Sequence, residues 1–176
     1  MALKSTVHKF RVSLNDLNRG VYESPELTVA LHPSETVERM VVRVLAWCLN
    51  AQPGLTFCKG LSDVDEPDLW VRALDESVTL WIEAGEPASD RVKRASRLAG
   101  AVHVYSFNAK AATWWQAEQR ALERLNCSVF GFAWDAVVAL AACVERTNDW
   151  SVTISEQSIF VSTAQGDTAL DVVQLA

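Results

Sequence analysis

Apolar and polar positions alternate in two neighbouring runs near the middle of the chain. Over Asp68–Ala73, Asp68, Trp70 and Arg72 alternate with Leu69, Val71 and Ala73. Over Val78–Gly85, Thr79, Trp81 and Glu83 alternate with Val78, Leu80 and Ile82. A period of two is the signature of a strand with one buried face. Asp75 and Glu76 between the runs are turn residues, so an antiparallel hairpin is predicted. A symmetric turn pairs Leu74 with Ser77, Arg72 with Thr79, Trp70 with Trp81 and Asp68 with Glu83. This register sets two carboxylates side by side, which is destabilising unless a cation, a shared proton or distance intervenes. The competing arrangement is another register, or a hairpin end frayed in water.

Elsewhere the pattern predicts strands at Thr6–Leu14, Glu26–Leu31, Leu55–Lys59, Val102–Phe107, Ser128–Phe132, Ser151–Ser155, Ser158–Thr163 and Ala169–Leu175. Helices are expected over Pro33–Asn50, from Ser89 or Asp90 to Ala99, over Ala109–Asn126 and over Asp135–Glu145, the last mostly buried. In the first of these, Val37, Met40, Val41, Val44, Leu45 and Cys48 form an apolar face, with Glu35, Glu38, Arg39 and Arg43 on much of the remainder. Glu35 and Arg39 are spaced for a helix ion pair. The order strand–helix–strand–helix–strand after Val78 favours an α/β (α+β) fold, a mixed β-sheet flanked by helices. A length of 176 residues suits a single domain, 1–176.

Net charge is −6 at pH 7, which does not attract phosphate backbones in general. Positive charge is local: Arg91, Lys93, Arg94 and Arg97 fall within seven residues that hold no carboxylate. Any nucleic-acid partner must meet this Arg91–Arg97 face. Trp114 and Trp115 point about 100° apart on a helix, so one can serve the core and the other a docking surface. His8 reads as an ordinary strand residue. Cys48, Cys58, Cys127 and Cys143 are scattered, without Cys-x-x-Cys or zinc spacing, and read as free thiols, three of them among apolar neighbours. No run approaches the length of a membrane span, and no secretory leader is evident, so a cytoplasmic protein without a membrane partner is expected. Phosphate loops, His-Glu-x-x-His and Gly-x-Ser-x-Gly are missing.

Pro67-Asp68, followed fifteen residues later by Glu83 on a second strand, resembles the metal-binding pattern of the restriction-endonuclease-like, or PD-(D/E)XK, nucleases. That pattern ends in Asp/Glu-any-Lys. Here Gly85 stands at the lysine position, and Lys93 on the following helix matches a variant in which the lysine comes from that helix. The strings HPSETVERM, RVLAW, DEPDLW, LWIEAG and RVKRA resemble the YaeQ family, from Met1 to about Val161 and most strongly over His32–Lys93. The resemblance implies a variant of the nuclease fold. It implies Asp68 and Glu83 as ligands of Mg²⁺ or Mn²⁺, Lys93 as a catalytic cation and Glu38 as a further carboxylate reaching the metal from the first core helix.

Two functions follow from that resemblance. One is a Mg²⁺-dependent phosphodiesterase acting on nucleic acid. The other is a fold relative without catalysis, acting as a binding or regulatory protein with a nucleic-acid or protein partner.

Overall fold

The computed structural model describes residues 3–176. The first elements are β1 (Thr6–Asp16), β2 (Val21–Glu23), β3 (Glu26–Leu31), α1 (Val37–Leu49), β4 (Leu55–Phe57), β5 (Leu69–Arg72) and β6 (Val78–Ala84). They are followed by α2 (Ser89–Leu98), β7 (Ala99–Ser106), α3 (Ala111–Leu122), β8 (Ser128–Gly131) and α4 (Trp134–Ala141). The last are β9 (Thr147–Ser155), β10 (Ser158–Thr163), β11 (Gly166–Asp171) and β12 (Val173–Gln174). The fold is mixed α+β, but with two mixed six-stranded sheets where the pattern led us to expect one. Each sheet organises one compact unit. The first unit runs to Ala51 and resumes over Asp135–Val172; the second comprises Gln52–Trp134 and Val173–Ala176.

In the first unit the strand order is β11-β10-β9-β1-β2, with β3 also on β1. β1 alternates along its whole length: Phe10, Val12 and Leu14 are buried, while Lys9, Arg11 and Ser13 are exposed. His8 is a satisfied core histidine, its Nδ1 2.9 Å from the Glu145 carbonyl. Thr36 caps α1 by accepting the Arg39 N–H at 3.2 Å, so Pro33 lies in the preceding turn rather than in the helix. Every residue of α1 from Met40 to Cys48 is buried, Arg43 included. Arg43, off the apolar face of the helix by its spacing, is therefore buried as well. The Arg43 guanidinium donates to Glu35 Oε1 and Oε2, each at 2.8 Å, and to the Ala30 carbonyl at 2.8 Å. The expected Glu35–Arg39 pair is present at 3.0 Å. The helix at Asp135–Glu145 is shorter than expected and buries only Val137, Leu140 and Ala141.

In the second unit the order is β12-β8-β7-β6-β5-β4. β6, β7 and β8 are parallel and joined by α2 and α3 as two successive crossover units, while β5 and β4 continue antiparallel. Leu80–Ala84 of β6 are all buried, not only alternate residues. Trp81, Val102, Val104 and Val129 form the sheet side of a core closed by Val92 and Ala95 of α2 and Leu122 of α3. Trp114 and Trp115 are both half-buried against this core.

The hairpin has the expected Trp70–Trp81 pair, with Leu69 opposite Ile82. Near the turn Arg72 meets Val78 rather than Thr79, because a bulge follows Val71. The turn has three residues between Ala73 and Ser77, with Glu76 left-handed at φ 67°. A three-residue loop of this kind ends in a left-handed residue and offsets the register by one. The bulge restores it. The expected Ala169–Leu175 strand is two strands, β11 in the first sheet and β12 in the second.

Candidate functional site

Asp68 precedes β5 directly, and Glu83 lies one residue before the end of β6. Both are buried. Asp68 Oδ2 accepts the Ala84 N–H at 2.7 Å, which fixes its carboxylate at the end of β6. Glu83 shares strand parity with Trp81, the face on which α2 packs. Two donors converge on Glu83 Oε1: Trp81 Nε1 at 2.8 Å and Arg91 Nε at 2.8 Å. The rest of the Arg91 guanidinium reaches the Val64 carbonyl at 2.7 Å and the Glu66 carbonyl at 3.0 Å. Arg91 thus ties the buried carboxylate, the start of α2 and the segment before Asp68 together.

Burial raises the Glu83 pKa above its ordinary value, and the nearby Asp68 charge raises it further. Arg91 and the Trp81 indole act in the opposite direction without cancelling the rise. The cation that α2 brings to the two carboxylates is Arg91. Lys93 is exposed and follows Arg91 by two residues, about 200° around the helix axis. It lines a groove of about 360 Å³ with Ser89, Asp90, Ala121, Arg124 and Leu125, beside α3. Glu38 is half-buried in α1, in the first unit.

Neither Ser89 nor Asp90 caps α2 with its side chain. The cap position is Ala88, and Glu118 of α3 accepts the Ser89 N–H at 3.0 Å. Gly85 stands in a left-handed region of the backbone. Its φ is 126°, a conformation that a lysine adopts only under strain.

Mg²⁺ requires near-octahedral oxygen ligands at about 2.1 Å. Here Glu83 Oε1 and Asp68 Oδ2 are already acceptors of N–H groups, and a fixed positive charge adjoins Glu83. Among the described residues no three His, Cys, Asp or Glu side chains are grouped to hold a metal. The donor set as folded fits a guanidinium rather than a divalent ion.

None of the four cysteines is in a disulfide, and only Cys48 is fully buried, its pKa pushed up to about 12 by burial. No helix among the described residues is long and apolar enough to cross a membrane.

A mixed α+β fold of two sheets, one carrying a buried carboxylate pair closed by an arginine, defines the structural class. The chain belongs to the YaeQ family, whose model matches residues 1–172. It is 38% identical over 169 residues to the "Uncharacterized protein YaeQ" of Salmonella typhi, covering 95% of this chain and 93% of that protein. The crystal structure of the YaeQ protein from Pseudomonas syringae is 39% identical with a TM-score of 0.93, over 98% of this chain and 96% of that one. That from Xanthomonas axonopodis pv. citri is 35% identical with a TM-score of 0.94, over 97% and 98%.

Proposed function

We propose that this protein binds nucleic acid through its phosphates, along the outer face of α2 and the carboxyl-terminal end of α3, and that the Asp68–Glu83–Arg91 cluster anchors α2 without metal catalysis. The reading rests on a set of uncommitted cations. Lys93 and Arg97 of α2, Arg120 of α3 and Arg124 just beyond it are exposed and form no ion pair within the described residues. Residues 89–124 hold seven Lys or Arg against three Asp or Glu, within a chain of net charge −6. Lys93 and Arg97 are four apart and share a helix face. An acidic protein can engage phosphates only where its charge is locally reversed.

Fluorescence anisotropy with labelled single- and double-stranded DNA and RNA, in EDTA, tests the reading. Binding should weaken with salt, and Lys93→Ala/Arg97→Ala should flatten the log–log salt slope by about two units, since each phosphate contact releases about one counterion. Cleavage of these substrates with Mg²⁺ or Mn²⁺, abolished by Asp68→Asn or Glu83→Gln in folded protein, would overturn the non-catalytic reading and restore the phosphodiesterase.

A further inference from the structure

The segment before Asp68 is acidic, with Asp63, Asp65 and Glu66 in four residues. It lies against the same helix that carries the free cations. Arg94 Nη2 is 2.6 Å from Asp65 Oδ1, and both side chains are about two-thirds exposed, at 65% each. Arg91 holds the backbone of the segment at Val64 and Glu66. The segment is also locked internally: Asp65 N–H donates to Asp63 Oδ1 at 2.9 Å, and Lys59 N–H donates to Glu66 Oε2 at 3.3 Å.

At 100° per residue, Lys93, Arg97, Arg94 and Arg91 follow one another around the outer surface of α2. Lys93 faces the α3 groove, and Arg91 faces the acidic segment. A phosphate backbone crossing this surface meets free charge first and Arg94 next, where the Asp65 carboxylate already sits at the distance of a phosphate oxygen.

We infer that the Asp63–Glu66 segment is an intramolecular competitor for phosphate, a strap whose Asp65 occupies Arg94 until nucleic acid displaces it. This rests on the binding surface proposed above. The two contacts of the strap differ in kind. Arg91 joins backbone carbonyls and a buried carboxylate, so it stays. Arg94–Asp65 is exposed on both sides, and such a pair is weak and exchangeable. Displacing Asp65 exchanges one anion for another at Arg94, so that contact releases no counterion in the wild type. The strap lowers affinity and favours ligands with phosphates enough to reach past Lys93 and Arg97.

Asp65→Asn keeps the shape and removes the competing charge. With a labelled 20-nucleotide single-stranded DNA in EDTA, it should tighten binding about two- to fivefold at low salt. It should also steepen the salt slope by up to about 0.7, because Arg94 then has its own counterion to release. Arg94→Ala should weaken binding little in wild type and more in the Asp65→Asn background. Thermal melts of each variant confirm the fold. Unchanged affinity and slope in folded Asp65→Asn, with binding still dependent on Lys93 and Arg97, would overturn the strap and leave the binding surface standing. No binding by either wild type or Asp65→Asn at low salt would overturn the surface, and the strap with it.

Discussion

Two buried carboxylates, one in each unit, are closed by an arginine in different ways. Glu35 has both oxygens held by Arg43, and the two side chains are 2% and 3% exposed. Glu83 receives Arg91 on one oxygen, and Arg91 is 35% exposed and spends its other nitrogens on loop carbonyls. The first pair is sealed; its geometry is bidentate and its surplus donor satisfies the Ala30 carbonyl. The second is open on one side and connects a strand end, a helix and a surface segment. A sealed pair can only hold a fold together, whereas an open one can also transmit what happens at the surface.

Breaking the sealed pair should have the largest effect. Arg43→Ala leaves Glu35 buried with Arg39 as its remaining cationic partner among the described residues, and about 3–5 kcal/mol of stability should be lost in urea titration. Glu35→Gln/Arg43→Met removes both charges and should recover part of that loss; no recovery would mean that packing rather than charge dominates the site. Arg91→Ala should cost less, about 2 kcal/mol, since it removes a charged hydrogen bond from a half-open position. It should also loosen the segment before Asp68, read as faster amide exchange over 63–66. Equal losses for Arg43→Ala and Arg91→Ala would erase the distinction drawn between the pairs.

The pH dependence sharpens it further. The Glu83 pKa is raised above its ordinary 4.5, so just above that pH the folded state binds more protons than the unfolded chain. Stability from this group is full below the unfolded pKa and falls as pH rises through the folded value. Wild type should therefore lose stability relative to Glu83→Gln as pH increases upward from about 4.5. A difference that grows in wild type's favour over that window would contradict the burial argument. At the small end, Arg11–Asp149 is exposed on both sides, and Arg11→Ala should change stability by about 0–1 kcal/mol. Among the thiols, Cys48 should resist alkylation in the native protein, as burial keeps it protonated.

Local alternation and turn chemistry determined much of this protein from the sequence alone: β3 and β10 at their expected bounds, the Trp70–Trp81 pair, and the meeting of Asp68 with Glu83. These depend on residues within one hairpin or one strand, where the period of two leaves little choice. That the next helix is rich in cations was legible from the run Arg91–Arg97. Which cation was not. Arg91 and Lys93 differ by about 200° in helical phase, and only the docking of α2 on the sheet selects between them. The Glu118 cap on α2 is likewise a contact between separate helices. Arg43 lies off the apolar stripe of α1, and Glu35 two turns earlier was a signal that it could be paired. Its burial depends on what surrounds α1, not on α1 itself. The split of Ala169–Leu175 has the same origin: both halves read as strand, but pairing with β10 or with β8 is a matter of hydrogen-bond partners distant in sequence. The tertiary structure decided every feature whose energy resides in contacts between elements, because alternation within an element specifies its faces and not the neighbour each face will meet.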